Sequence, residues 1–401
     1  MNKNFHKKIL KNGLTILFEK RDLPIVSVAF AVKTGGIHET KEKKGISHFI
    51  EHMLYKGTPT RDAKKIAAEI EKNGGVLNGF TDEIITAYWC KLPSKHLNVA
   101  LEVLSDMVKN PIFDSKEFEK ERKVIFEEIK MRKDNPGIHV LDEIQRMLYH
   151  EPFGNPLIGT YDTMNSITRE EMLKRFNEIY QPNNMILCVV GNADFNEIAG
   201  FAEKNFGDIK GKTPSFKVSE KNDSKTEKRK GIDQANLIFA FHSPKYNDKK
   251  NFAADVLITL MAGGMSSRLF SEIREKRNLA YSVKGDNTIN RDYSFSFIKV
   301  GTTKEKIDEV KKLILQEFEK VIKDLSEEEL KETKEQIIGN CQIEMEDSQD
   351  QMVSLLSYEI NGRAEDFYEY EKNILSVKLD DVKELAKKAL EKNSFFALVP
   401  E

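Results

Sequence analysis

Cysteine is scarce in this chain. The 401 residues contain 3, Cys90, Cys188 and Cys341, without the spacing of a disulfide framework or a thiolate metal site. That usage suits a reducing compartment, and a cytoplasmic location is expected. Long apolar runs are also missing, because nothing approaches the ~20 consecutive apolar residues of a membrane span. The start, Met1 to Leu10, is basic but has no apolar stretch, so no secretion signal is expected. Neither sign of charge is in excess. Lys and Arg number 63 against 65 Asp and Glu, a net charge of −2. Nucleic acid and anionic membranes are therefore not expected partners.

What is present describes a globular protein: 39% hydrophobic and 32% charged residues, with a Lys and Glu content compatible with a heat-adapted source. The length exceeds one ordinary core and suits two domains of ~200 residues. Residues 14–19 and 26–32 read as strands, the second more continuously apolar. Residues 62–73 read as an amphipathic helix closed by Gly74 and Gly75. Residues 76–81, running on through 84–90, read as one extended segment. Helices are expected over 97–109, 115–132, 136–149, 168–180 and 195–205, with a short strand over 185–190. His139 and His150 are read as structural.

The stretch around which the chain is organised is Gly45-Ile46-Ser47-His48-Phe49-Ile50-Glu51-His52-Met53-Leu54-Tyr55-Lys56-Gly57-Thr58. Apolar residues at 46, 49, 50, 53 and 54 predict a short buried helix, capped by Ser47 or Thr40 and ended by Gly57. His48 and His52, four apart, stand one turn up the same face. Two neutral imidazoles so placed suit a divalent metal, most often zinc. Glu51 can reach an attacking water at such a metal without ligating it. The bland alternative is a hydrogen-bonded core histidine, and a third ligand is needed to outweigh it. Downstream, Phe118, Ile125 and Ile129 mark a second apolar stripe, with Glu121 and Glu128 seven apart beside it. Glu127 points away with Val124 and Met131. Glu128 is the candidate third ligand, and Glu121 a residue supporting the ligands or an alternative ligand. A solvated acidic helix is the ordinary reading of such a segment.

The motif His48-Phe-Ile-Glu51-His52, followed by Met-Leu-Tyr-Lys-Gly-Thr and then by Glu121-Arg122 and Glu128, resembles the inverted zincins. That family includes pitrilysin, insulin-degrading enzyme and the mitochondrial processing peptidase. The resemblance implies one Zn2+ per chain on His48, His52 and Glu128, with Glu51 as general base and Glu121 behind the ligands. It also implies that Asn78, Gly79, Phe80 and Thr81 form a strand beside the metal that receives substrate as an added strand; Gly79 stands where the family usually has Ala. In the second half, Gly263-Gly264-Met265-Ser266-Ser267-Arg268 precedes Arg274 and Tyr281. A phosphate-cradling loop and a plain packing turn are the other readings of this segment. The resemblance assigns Arg274 and Tyr281 to substrate carbonyls and the tetrahedral intermediate.

Residues 208–231 lose apolar periodicity and read as solvated linker. After them the order of elements begins again: strands over 237–241, 281–284, 293–300 and 395–399, and helices over 252–261 and 304–323. Aligning Glu117-Phe118 with Glu329-Leu330 sets Glu121 on Thr333 and Glu128 on Asn340, so the repeat lacks the ligands. The expected fold is α+β, two homologous domains, each a mainly antiparallel sheet with helices on one face. Residues 1–210 form the catalytic domain, 211–230 the linker, and 231–401 the copy without metal ligands. The expected activity is a zinc metalloendopeptidase acting on peptides, as a homodimer with a shared chamber. The rival is a non-catalytic assembly subunit, a type of family member that has typically lost the His-Glu-His set.

Overall fold

The structure is a computed structural model that describes residues 4–401, so Met1–Lys3 of the basic start lie outside the described residues. The chain forms two compact units that do not follow a single cut in the sequence. The first comprises residues up to 130, 156–217 and 344–368; the second comprises 131–155, 218–343 and 369–401.

The first unit is built on a six-stranded sheet. Its strands are β1 (Phe5–Ile9), β2 (Thr15–Lys20), β3 (Ile25–Val32), β4 (Val76–Thr81), β5 (Thr86–Pro93) and β6 (Met185–Gly191), in the order β1-β2-β6-β3-β5-β4. Only β2 and β6 pair in parallel. Side chains alternate between faces along each strand. Phe18, Val28, Phe30, Tyr88, Leu187 and Val189 meet one core, with helices α1 (Ile46–Leu54), α2 (Ala63–Glu71), α3 (Leu97–Lys109) and α4 (Ser115–Asp134). Leu17, Ala29, Ala31, Trp89, Ile186 and Cys188 meet a second core on the other face. Burial on both faces explains why β3 reads as continuously apolar rather than alternating.

In the second unit the sheet order is β7 (Ser224–Arg229), β11 (Ser394–Pro400), β8 (Ala235–His242), β10 (Ser294–Thr302), β9 (Ala280–Ile289). Its pairing repeats the first sheet from β2 onward: one parallel pair, β7 with β11, followed by three antiparallel pairs. The helices that gather on its main face include the segments Phe252–Ala262, Ile307–Asp324 and Leu379–Glu391.

Each sheet has helices on one face, as expected, and each also takes one helix on the other. In the second unit this helix is α5 (Pro136–Leu148), which packs on β8 and β11, with the His139 ring edge-on to Phe396 at 5.9 Å. In the first it is Ser348–Asn361, whose Met352, Leu355 and Leu356 enter the second core. Ser348 hydrogen bonds Ser27 at 2.9 Å, and Gln351 donates to Glu19 at 2.9 Å. Each half of the sequence thus contributes one helix to the unit built mainly from the other half.

Three expectations change in detail. Residues 76–90 are not one extended segment but the hairpin β4–β5. Its turn forms without Gly or Pro, because the Asp82 side chain accepts from Glu83 N at 2.7 Å and Asp82 N donates to Ile85 O at 2.8 Å. The solvated linker 211–230 carries β7 in its second part, a polar edge strand whose alternating exposure hides it from an apolar pattern. Neither Ser47 nor Thr40 caps α1. The cap residue is Gly45, left-handed at φ 96°, and the carboxylate of Glu39 accepts from Gly45 N at 2.8 Å and Ser47 N at 2.7 Å.

The second unit buries one carboxyl with consequences for stability. Burial, opposed by donors from Asn287 (3.0 Å) and Tyr370 (3.1 Å) and assisted by Asp286, raises Asp255 to about 6. The unfolded group titrates near 3.8. The folded state therefore holds the proton longer than the unfolded one, and stability falls as pH rises from about 4 to about 6. Asp255→Asn is expected to raise the unfolding midpoint at pH 8, by up to the order of 3 kcal/mol, with little effect at pH 4. Calorimetry at both pH values checks this; equal shifts would exclude ionisation as the cause.

Candidate metal centre

The first unit holds every residue of the proposed zinc site. α1 is fixed first, at its N-terminus by Glu39 and along its apolar face by Phe49, Ile50, Met53 and Leu54, all buried. α4 is then fixed against it. Phe49 and Phe118 stack at 4.8 Å and 13°, and the Arg122 guanidinium lies 4.8 Å over Phe118 and 5.7 Å over Phe49. Arg122 also donates to the carbonyls of Ile167, at 3.0 Å, and Met164. This lock brings the carboxylates of α4 over the imidazoles of α1.

His48 Nε2 lies 3.6 Å and His52 Nε2 3.5 Å from the same oxygen, Glu128 Oε2. The two imidazole rings are 4.6 Å apart at 67°. Donors bound tetrahedrally to one zinc at 2.0–2.2 Å stand roughly 3.3–3.6 Å from each other. The residues therefore fit the metal, and among the described residues this is the one group of three such side chains that could hold an ion. Glu121 Oε2 sits 3.1 Å from His52 Nδ1, which leaves Nε2 toward the metal position. Lys56 Nζ, 2.6 Å from Glu121 Oε1, helps keep that carboxylate charged. Burial works against this, but His52 and Lys56 bring the Glu121 pKa below the usual range. Burial likewise pulls His52 down, while Glu121 and Glu128 outweigh it and raise the imidazole to about 9. Zinc must displace that proton to bind.

Glu51 is buried on the same helix. Burial raises its carboxyl above the ordinary range, only partly offset by Thr81, whose hydroxyl donates to Oε2 at 2.6 Å. Of the four residues expected to take substrate, Thr81 thus points its hydroxyl at Glu51. Asn78 Oδ1 accepts from Gly79 N at 2.8 Å. The strand carrying all four, β4, is the last in the sheet order. Among the described residues no further strand pairs with its outer edge.

Arg274 and Tyr281 belong to the second unit. Arg274 is on a widened helical turn, Phe270–Glu275, with its guanidinium 4.8 Å over the Phe270 ring. Asn278, left-handed at φ 51°, turns the chain into β9. Tyr281 falls at a bulge there, since Ser282 pairs with Gly301 and Ala280 with Thr302. Its ring lies on Gly301, where an added Cβ would come within 2.2 Å of it, and it borders a cleft of about 560 Å3 with Ser282 and Lys299. The Gly263–Gly264 loop is tied by its own contacts, with Ser267 Oγ donating to Gly264 O at 2.7 Å and Gln336 to Gly263 O at 3.1 Å.

Sequence reasoning assigned no role to Glu39, Arg122 or Lys56. Lys56 had a signal, four residues after His52 on the same helical line. Glu39 had none, because it reaches the helix from a loop.

A relative in Rickettsia felis, named as an uncharacterized zinc protease, is 35% identical over 85% of this chain and 84% of its own. Residues 15–161 match the family described as Insulinase (Peptidase family M16), and residues 166–337 match the Peptidase M16 inactive domain. The chain belongs to peptidase family M16. A Bacillus subtilis protein, also named as an uncharacterized zinc protease, is 33% identical to this M16 chain over 85% of each. The crystal structure of a protease from Helicobacter pylori superposes with a TM-score of 0.90 at 25% identity, covering 99% of both chains. The family match places all the proposed metal ligands in the insulinase segment. The inactive-domain segment contains Thr333, buried and donating to Glu329 O at 2.8 Å where the first half has Glu121.

Proposed function

We propose that this M16 chain is a zinc-dependent endopeptidase cleaving peptides or unfolded segments. The observation that carries the reading is the convergence of His48, His52 and Glu128 at tetrahedral spacing, with Glu51 beside them. His48, His52 and Glu128 would hold one zinc per chain. When bound, zinc supplies a Lewis acid and brings the pKa of a water to about 7. Glu51 takes the proton from the attacking water and passes it to the leaving amine, a role suited to a carboxyl raised by burial. Thr81 orients that carboxyl. An extended substrate pairs with the open edge of β4, along Asn78–Thr81, so that backbone bonds give affinity and neighbouring pockets give preference. Arg274 and Tyr281 supply a cationic fork and a phenolic donor for the developing oxyanion. The three cysteines, none in a disulfide, accord with a cytoplasmic location.

The direct test is cleavage of a quenched, unstructured peptide library. Activity lost on chelation and restored by stoichiometric zinc supports the reading, and purified protein that neither binds zinc nor cleaves any peptide overturns it.

We further propose a two-fold homodimer with a shared chamber in which Arg274 and Tyr281 of each subunit complete the zinc site of its partner. Mixing inactive Glu51→Gln protein with inactive Tyr281→Phe protein is expected to restore activity once subunits exchange. Proven exchange without recovery would exclude the shared site.

A further inference from the structure

Three tyrosines, Tyr55, Tyr88 and Tyr180, are packed behind Glu51. The rings of Tyr55 and Tyr88 are 6.0 Å apart, and those of Tyr88 and Tyr180 are 6.4 Å apart. Tyr88 and Tyr180 satisfy each other, hydroxyl to hydroxyl, at 2.9 Å. The Tyr55 hydroxyl is also buried, yet among the described residues no group hydrogen bonds to it. A buried phenol of this kind ordinarily finds a partner, because leaving it without one costs free energy.

This hydroxyl lies close against Gly79. A Cβ added to Gly79 would lie 2.3 Å from the Tyr55 hydroxyl, 2.8 Å from Ala87 O and 3.3 Å from Glu51 Oε1. The missing side chain therefore leaves a small space that the phenolic oxygen and the free oxygen of the catalytic carboxylate both face. The other oxygen, Oε2, is already held by Thr81 at 2.6 Å. The terminal torsion of a glutamate is soft, so one anchored oxygen does not fix the carboxylate plane.

We infer that Tyr55 is a positioning residue for Glu51. Its hydroxyl reaches Oε1 across the space over Gly79 through one bridging water, while Thr81 holds Oε2. Gly79 is the residue that keeps this space open. The inference rests on the proposed role of Glu51 as base, but one of its tests does not need activity.

That test is a double-mutant cycle on the unfolding midpoint, using Tyr55→Phe, Glu51→Ala and the two together, in zinc-loaded and metal-free protein. The two changes are expected to cost less together than the sum of their separate effects. Strict additivity would overturn the inference whether or not a substrate is known. A second arm places Ala at position 79. Gly79→Ala is expected to lower the midpoint in the parent protein, with part of the loss recovered when Tyr55→Phe removes the nearest atom it strikes and the rest remaining from the approach to Ala87 O. An equal drop in both backgrounds would show that the space does not serve Tyr55. With a cleavable peptide, Tyr55→Phe should lower kcat about tenfold, with KM and zinc content unchanged; an unchanged kcat overturns the positioning role. Absence of peptidase activity in the parent protein would instead overturn the proposed function, and the unfolding cycle would still report on the Tyr55–Glu51 contact.

Discussion

Glu51→Gln is expected to lower turnover by ~10²–10⁴-fold while leaving zinc bound. The substitution preserves volume and leaves an oxygen able to accept from Thr81, so the hairpin β4–β5 keeps its contact with α1. It leaves Nε2 of both His48 and His52 where they are, 3.6 and 3.5 Å from the Glu128 carboxylate. What disappears is the one part of the proposed role that an amide cannot perform, taking a proton from the attacking water. Substrate affinity should change little, because the proposed strand pairing on β4 does not involve this side chain. Elemental analysis together with single-turnover cleavage separates the outcomes. Normal turnover with zinc bound would remove Glu51 from the base role. Loss of both zinc and turnover would show that the substitution had disturbed the ligands, so that the kinetic result says nothing about proton transfer.

The parts of this molecule legible in sequence are those carried by local periodicity. α3, over Leu97–Lys109, and the helix Phe195–Asn205 fall on the expected residues, because each joins a regular apolar stripe to clear ends. The order of elements in the second half was also readable, since α4 and the helix Glu327–Glu344 keep the register that sets Phe118 on Leu330 and Ile125 on Ile337, all four buried. What could not be read depends on contacts distant in sequence. The helix Ser348–Asn361 covers the first sheet, and nothing in its own pattern names that partner. β7 is polar on its exposed positions and is defined by pairing with β11. The Asp82 turn uses one carboxylate instead of Gly or Pro, so two strands were read as one segment. At the site, residue types and helical spacing were enough to propose the imidazoles, the base and the third ligand. The residues that aim them, Glu39, Arg122 and Thr81, act through loops and tertiary packing.

The neighbouring glutamates of α4 give the sharpest test of the metal site. Glu128→Gln is expected to abolish stoichiometric zinc binding, whereas Glu127→Gln should leave zinc and turnover near the parent values. The two side chains differ by one position and about 100° around the helix. Glu127 is exposed, on the side of α4 where Val124 and Met131 are also exposed at 48% and 60%. Glu128 brings one oxygen to both imidazoles. Replacing that anion by an amide removes a charge from the ligand set and leaves two neutral imidazoles, a much poorer zinc site. Glu121→Gln should be intermediate: it keeps all three ligands but weakens the group that orients His52 Nδ1, at an expected ~10–100-fold loss in zinc affinity. The ordering Glu128, Glu121, Glu127 in severity, read by competition with a chelator of known affinity, separates a metal helix from an ordinary acidic one. On a solvated helix with i,i+4 pairs the three substitutions would each shift stability by a few tenths of a kcal/mol and none would change metal content. Zinc binding that survives Glu128→Gln but fails with Glu127→Gln would move the ligand by one residue, and α4 would then have to turn by about 100° against α1. The stack of Phe118 on Phe49 and the Arg122 guanidinium over both oppose that rotation.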